Sequence, residues 1–588
     1  MSDLIVGIDL GTTNSELAVI QNGNIRVLPI HGRPIMPSCV GLDPDGKLIV
    51  GESARNQLVA APDRTVVSIK RKMGEDVKVT LGDREFSPEE ISSFVLRELK
   101  KEGERELGQP IRKAVITVPA FFNERQRKAT QVAGELAGLE VVRIINEPTA
   151  AALAYGAGVQ EGETMLVYDL GGGTFDVSVV VVEQGVVEVK ASHGDVHLGG
   201  DDFDDLLVEH AVAAFQRQHD VDLNPDTSTR RRLKVVMERV KRTLSDEPFV
   251  AIREEYIAGQ RHLEMEVLRD EYERLILPLL EKTLDCCHRS LNDAKLGPKD
   301  IRKVMLVGGA TRTPLVHSLL RDRMRLDPRF EIDPDLIVAM GASIQGGVIA
   351  GEKRHSILVD ITPHTWNTTA VSLRRGSEEL VCVPIIPRNT PLPASKSEMV
   401  FTMYDDQEKT QVDVYQGEGD LPEQNTLIGD FMVEGLSEVP AGNPIVIHFD
   451  LDLNGMLKVT ATEKITGLAK SVTLDTHGQH IVNVDEARRN IAALVGEPDG
   501  AGVTGGMNRA EGAAEAIIET TDTQELLKTA KDLRKRGESL LQKNLGSDDA
   551  DEIRELIHQS AVAIKEGNWD TLSAKNDALS DLIFYLED

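Results

Sequence analysis

The stretch YDLGGGTFD at residues 168–176 decides how this chain is read. It follows the apolar MLV of 165–167 and precedes VSVVVV at 177–182, so it predicts a tight turn between two strands. Gly171, Gly172 and Gly173 let backbone N–H groups approach an anion without Cβ atoms in the way. Asp169 and Asp176 flank them at a spacing suited to a hydrated divalent cation. Most glycine turns simply reverse a chain. This one has an earlier copy, IVGIDLGTTNSELAVI at 5–20, with Asp9 in the place of Asp169. A repeated unit of strand, Asp-Leu-Gly turn and strand predicts a duplicated fold whose loops face each other across a cleft, placed to clamp one polyphosphate.

A third segment, VMLVGGATRTPLV at 304–316, has the strand, Gly-Gly and helix order in which backbone meets a ligand at a strand's carboxyl end. The sequence contains neither GxxxxGK[ST] nor a strand-linked GxGxxG, so P-loop and Rossmann sites lose their main support. These three segments, with VPAFFNERQRKAT and RIINEPTAAALAYG between them, resemble the DnaK-type, seventy-kilodalton heat-shock chaperones over nearly the whole chain. Actins and sugar kinases share only the general architecture.

Composition agrees with a multidomain protein. The 588 residues give a prior of roughly four domain-sized units. A formal net charge of −30, from 96 acidic and 66 basic residues, argues against a nucleic-acid or anionic-membrane surface. Cys39, Cys286, Cys287 and Cys382 make no CxxC pair, and the adjacent Cys286 and Cys287 read as helix packing residues. The sequence opens almost directly on a strand pattern, and no apolar run is long enough to span a bilayer. A reducing cytoplasm is the expected compartment.

The patterns divide the chain into residues 1–354, an α/β domain; 355–361, an apolar linker; 362–484, an antiparallel β-sandwich; and 485–588, a helical end interrupted by a glycine-rich stretch at 496–512. The resemblance implies that the first is an actin-like (ribonuclease H-like duplicated) ATPase domain, the sandwich a peptide-binding domain and the helical end a short lid. In the sandwich, PIVIHFDLDLNGMLKVTAT at 444–462 reads as a hairpin turning at Asn454-Gly455. Ile445, Ile447, Phe449, Leu451 and Leu453 are expected on its buried face. The linker's Ile357-Leu358-Val359 is too apolar for a passive connector and suggests reversible docking in a groove; an edge strand of the sandwich is the rival reading.

Phosphoanhydride hydrolysis needs charge neutralisation, an aligned water and loops that hold the γ-phosphate in line. Gly11, Thr12 and Thr13, with Gly171, Gly172, Gly173 and Thr174, are the expected phosphate donors. Asp9 and Asp169 are expected to hold Mg²⁺ through water. The family resemblance implies further roles. Lys70 matches the catalytic lysine that positions the attacking water; without the family, a Lys-Arg pair at 70–71 reads as solvated charge. Glu147 matches an acidic residue near metal-bound water, with Asp176 completing that set; in isolation Glu147 reads as a favourable charge at a helix N-terminus. Glu238, Lys241, Arg242 and Ser245 share one helical face and match adenosine contacts. Gly308, Gly309, Arg312 and Asp335 lie opposite, and Ala310 stands where serine is common. ATP or ADP with Mg²⁺, and K⁺ as a further ion, are the implied ligands.

The resemblance also implies coupling between ATP and peptide binding. Pro119 and Arg127 match the relay proline and arginine. Leu358 belongs to the linker, and Arg143, Asn146 and Asp360 match the surface used by J-domain cochaperones. In the sandwich, Val400, Met403, Thr410 and Val412 match the peptide pocket and its arch, although each also fits a sandwich core position. The implied partners are unfolded or extended polypeptides, a J-domain cochaperone and a nucleotide exchange factor. Departures such as HTWN at 364–367, a longer hairpin at 374–379, a shorter segment after Gly74 and the ending FYLED resemble a specialised bacterial member of the HscC type. Two other readings use the same residues: a nucleotide-gated regulator of one partner, and a small-molecule kinase, which would need an acceptor pocket with a carboxylate base.

Overall fold

The two Asp-Leu-Gly hairpins sit in two sheets of the same topology. In the first sheet, Ile5–Leu10 pairs antiparallel with Asn14–Gln21 and parallel with Lys113–Val118, which is parallel to Glu140–Asn146; Asn24–Val27 closes the other edge. In the second, Glu163–Leu170 pairs antiparallel with Phe175–Glu183 and parallel with Lys303–Val307, which is parallel to Pro328–Arg329; Val186–Asp195 takes the corresponding edge. Strand for strand, the duplication expected from sequence is present. The computed structural model describes residues 4–21, 23–156, 162–329, 333–352, 357–374, 377–473 and 483–495, with short helical stretches between 530 and 579.

The halves are locked together by helices that cross between them. Glu147–Gly156 continues from the last strand of the first sheet, yet it packs on the second. Ile337–Ile349 belongs to the second half and packs on strands Ile5–Leu10 and Asn14–Gln21 of the first. The two helices touch where any side chain at Gly341 would overlap the backbone of Ala150, which explains a glycine in an otherwise apolar helix. Mostly Val, Ile, Leu, Phe and Ala fill three buried clusters in this domain, and the cleft lies between the halves.

The sandwich consists of two four-stranded antiparallel sheets. Strand Pro444–Leu451 alternates as expected, burying Ile445, Ile447, Phe449 and Leu451. Leu453 departs from the expectation: the strand ends at Leu451, and Leu453 lies in the 452–456 loop with 44% exposure. Asp452 shapes that loop by accepting from the backbone N–H groups of Asn454 and Met456, while Gly455 takes a positive φ of 83°.

The linker triplet forms a strand, but not in the sandwich. Ile357–Val359 pairs parallel with Val186–Val187–Glu188 and becomes the edge of the second ATPase sheet. Beyond the sandwich, helix Val484–Val495 buries Ala487 and Ile491 in the first-half core, where Asn490 Nδ2 donates to Glu90 Oε1 at 3.1 Å. The glycine-rich 496–512 lies outside the described residues. Residues 499–588 form a separate unit, in which the described positions are helical; Ala530, Leu533, Ile553 and Leu579 are buried there, while Arg534, Lys535, Arg536 and Arg554 are exposed.

Candidate functional site

Between the two halves lies a cleft of about 830 Å³, within the range of small-molecule sites. The two glycine loops meet at its base. A Cβ on Gly172 would overlap Thr13 Oγ1, and one on Gly173 would press on Thr12, so loops this close require glycine. Thr13 Oγ1 is buried without a hydrogen-bond partner, and its hydroxyl can donate to a phosphate oxygen. Gly11, Thr12, Gly171, Gly172 and Thr174 line the cleft as expected, while Gly173 is turned against Thr12 and Arg71.

Beside the loops, buried carboxylates crowd one ammonium. Lys70 Nζ donates to Glu147 Oε1 at 2.5 Å, and both side chains are nearly inaccessible. Asp9 accepts from Thr117 Oγ1 at 2.8 Å. Burial and the Glu147 charge push the Asp9 carboxyl up to about 7, and the same causes push Asp169 well above the carboxylate range. An added positive charge would favour the ionised form of both, which suits Asp9 and Asp169 to a hydrated divalent cation. Glu147 is the first residue of helix Glu147–Gly156, so its helix-terminal and cleft readings coincide.

Asp176 stands opposite Asp169 in the second hairpin, within reach of the Glu147 charge. Its two oxygens accept from the N–H groups of Ala120 and Phe121, at 3.2 and 3.1 Å, and it does not line the cleft. Burial holds its carboxyl near 7. It therefore ties the second phosphate hairpin to the turn that follows Pro119.

At the opposite end, helix Thr227–Asp246 presents Glu238, Lys241, Arg242 and Ser245 to the cleft. Glu238 is clasped by Arg55 at 2.7 Å and Arg242 at 2.6 Å, and the two arginines hold its carboxyl below the usual range despite burial. Facing them, Gly308 adopts φ 82° directly over the Leu170 backbone. Gly309 and Ala310 line the wall, and Arg312 pairs with Asp335 at 2.8 Å.

Sequence reading missed several residues here. Glu16 lies opposite Asp9 in the first hairpin and lines the cleft at 3% exposure. Its signal was a charge inside an otherwise buried strand. Ser68 donates to Asp201, and Arg71 to Asp202, so the segment bearing Lys70 is tied across the cleft to the second half. His31, Glu98 and Glu102 also sit at metal-ligand separation, but Lys101 at 3.2 Å from Glu98 and Arg105 at 2.6 Å from Glu102 already supply positive charge.

A second constellation joins the ATPase domain to the sandwich. Arg127 Nη2 donates to Asn146 Oδ1 at 2.6 Å and to Ala120 O at 3.1 Å, while Asn146 Nδ2 donates to Asp360 Oδ2 at 3.0 Å. Arg143 stands near Asp452 and Asp360, and burial lowers its guanidinium. Leu358 is half-buried in the paired linker strand. The sandwich reaches across through Asn454, which accepts from Ile144 N at 3.4 Å; His364, which donates to Phe121 O at 3.0 Å; and Arg388, 3.0 Å from Asp293.

On the sandwich, Ala394–Phe401 is an edge strand, paired only with Pro444–Leu451 among the described residues. Apolar side chains stand open beside it: Phe401, Met403 at 39% and Tyr404 at 66% exposure. Val400 is half-buried against the core, and Thr410 is half-buried. Val412 is 2% exposed and belongs to the sandwich core, the alternative that its position left open.

A cleft between two duplicated glycine-loop sheets, joined by a paired strand to a sandwich with an open apolar edge, has the plan of an ATPase with an attached polypeptide-binding domain. The sequence profile described as "Hsp70 protein" matches residues 5–80 and 75–586, and the chain belongs to the Hsp70 family. It is 44% identical over 507 residues to "Chaperone protein DnaK" of Thermotoga petrophila and of Thermotoga maritima, and 43% identical to that of Thermotoga neapolitana, in each case over 83% of both chains. It is an ATP-dependent molecular chaperone and an ATPase. The actin-like ATPase domain, β-sandwich and helical lid are the family's plan, and the family binds ATP or ADP with Mg²⁺. No described helix is long and apolar enough to cross a membrane.

Proposed function

We propose that the protein holds extended apolar polypeptide segments on its sandwich and releases them when ATP binding seats the linker and sandwich on the ATPase domain. The observation that carries this reading is the linker strand Ile357–Val359 paired into the second ATPase sheet, one residue before the Asp360–Asn146 contact. The helix Val484–Val495 also rests on the ATPase domain while the sandwich's apolar edge stays open. Both features suit a fast-exchanging, low-affinity state.

In the cleft, Thr12, Thr13 and Thr174, with the loop N–H groups, are assigned to the phosphates. Glu238, Arg242 and Ser245, with Gly308, Gly309 and Arg312, are assigned to the nucleoside. Asp9 and Asp169 would hold Mg²⁺, which neutralises phosphate charge; K⁺ is a further candidate. Lys70, fixed by Glu147, orients the water against the terminal phosphate. Asp176 carries the state of the hairpin to the Pro119 turn, and Arg127 carries it from there to Asn146 and Asp360. A J-domain cochaperone and an exchange factor are the expected partners, and the cytoplasm is the expected compartment. The departures at 364–367 and Thr410 favour a specialised, HscC-like role with a restricted client range.

Single-turnover ATP hydrolysis with and without a panel of extended apolar peptides tests the reading. Stimulation by several peptides is expected. Hydrolysis indifferent to every peptide would favour a regulator of one native partner, and a phosphorylated small molecule would favour a kinase.

A further inference from the structure

Lys241 lines the nucleotide cleft, yet its ammonium is already committed. Nζ donates to Asp204 Oδ2 and to Gly200 O, each at 2.8 Å. Gly200 N in turn donates to Gly171 O at 2.9 Å, and Asp201 N to Gly172 O at 2.7 Å. A continuous polar path therefore runs from the helix assigned to the nucleoside, through Lys241, to the backbone of the second phosphate loop. Its anchor is Asp204, whose side chain is 3% exposed and outside the cleft lining. The other oxygen, Oδ1, is buried without a hydrogen-bond partner, so Lys241 is the principal group satisfying this carboxylate.

We propose that Asp204 is a positioning residue for nucleotide binding: in its ionised form it holds Lys241, and through Lys241 it fixes the second phosphate loop against the nucleoside-binding helix. The proposal rests on the cleft being the nucleotide site. It also gives the cleft a pH response in the neutral range. Burial pushes the Asp204 carboxyl up to about 7; the Lys241 charge and hydrogen bond oppose burial, while Asp201 of the same helix and Glu238 of the facing helix act with it. The phenol of Tyr272, on helix Arg269–Asp293, faces Asp204 from the third side and has its own titration pushed above its ordinary range by burial. Above pH 7 the carboxylate grips Lys241. Below it the neutral acid loses the charge attraction, the path from Lys241 to Gly171 slackens, and nucleotide leaves faster.

The test is dissociation of a methylanthraniloyl-labelled ADP from the full-length protein between pH 6 and pH 8. The ionised fraction of one group centred near 7 changes from about one tenth to nine tenths over that span, so the wild type should release the probe about tenfold faster at pH 6. Asp204→Asn should release it at the fast rate throughout, with no pH dependence. Lys241→Gln should do the same, and the double variant should be no faster than either single one, which keeps the test alive if one variant folds poorly. An Asp204→Asn protein retaining the wild-type pH profile, or additive effects in the double variant, overturns the assignment. A wild type that fails to hold the probe at any pH overturns the reading of the cleft itself.

Discussion

Asn146 and Glu147 are neighbours in the chain and face two different machines: Glu147 takes Lys70 Nζ at 2.5 Å inside the cleft, and Asn146 donates to Asp360 of the linker at 3.0 Å. The strand Glu140–Asn146 ends and the helix Glu147–Gly156 begins between them, so neither side chain can shift far without moving the same backbone. A change at the Lys70–Glu147 pair and a change at the linker are thus separated by one peptide bond. Arg127 adds a parallel route, from the Ala120 carbonyl to Asn146.

Breaking the linker side should uncouple the protein while leaving the chemistry intact. Asp360→Ala removes the acceptor of Asn146 and the charge nearest Arg127. ATP-induced release of a fluorescent peptide should slow by about tenfold, a typical coupling of about 1.4 kcal/mol, with unstimulated hydrolysis nearly unchanged. Fluorescence anisotropy and single-turnover hydrolysis on the same preparation check both halves. An equal loss of both would show that Asp360 serves the fold rather than the coupling.

Lys70→Ala should lower single-turnover hydrolysis by about 10²–10³-fold, the scale of losing one well-placed electrostatic group. It also leaves Glu147 buried with carboxylates and no ammonium, a change that costs about 3–5 kcal/mol when one partner of a buried pair is removed. The melting temperature should therefore fall in the single variant and recover in Lys70→Met with Glu147→Gln, without recovery of hydrolysis. Hydrolysis surviving in either variant would remove Lys70 from the mechanism.

What was legible follows the range of the interactions. The glycine hairpins and the Gly308-Gly309 wall are local patterns, and the fold placed them where those patterns implied; the Glu238–Ser245 face reads in isolation as an exposed charged stripe, and only resemblance pointed it at the cleft that it lines. Lys70 was legible only through resemblance, because its partner Glu147 is far along the chain. Glu16, Asp201, Asp202 and Asp204 escaped because their meaning depends on which half faces which, and periodicity within one element carries none of that. Asp176 was assigned to the cation by spacing and by resemblance, neither of which foretells that the amides of Ala120 and Phe121 engage both of its oxygens. The linker triplet was read as a docking segment, with an edge strand of the sandwich as the rival; it pairs with the ATPase sheet instead, a neighbour that an apolar run alone does not specify.

The docked sandwich should be acid-sensitive through His364. Burial depresses its imidazole to about 4, helped by the charge of Arg127 and by His193; its bond to Phe121 O and the charge of Glu418 oppose that. Burial lowers His193 as well. A docked value below the ordinary 6.5 means that docking is fully supported above 6.5 and loses support as pH falls toward 4. Energy transfer between dyes on the ATPase domain and the sandwich, with ATP present, should report undocking across that window, and His364→Gln should flatten it. A wild-type signal constant from pH 7 to 4.5 would remove the histidines from the interface energetics.

Burial separates two kinds of residue within the expected peptide pocket. Met403, at 39% exposure, can lose its side chain without opening a core cavity, so Met403→Ala should weaken binding of an apolar peptide severalfold and leave the melting temperature nearly unchanged. Val412 is in the core, and Val412→Ala should cost about 1–3 kcal/mol of sandwich stability, with affinity falling only as the fold does. Thr410 lies between these cases. Its half-buried hydroxyl disfavours an apolar occupant, so Thr410→Val should raise affinity for leucine-rich peptides and broaden the set bound on a peptide array. An array pattern identical for Thr410→Val and wild type would mean that client selection lies elsewhere, with the open Phe401 and Tyr404 the next residues to exchange.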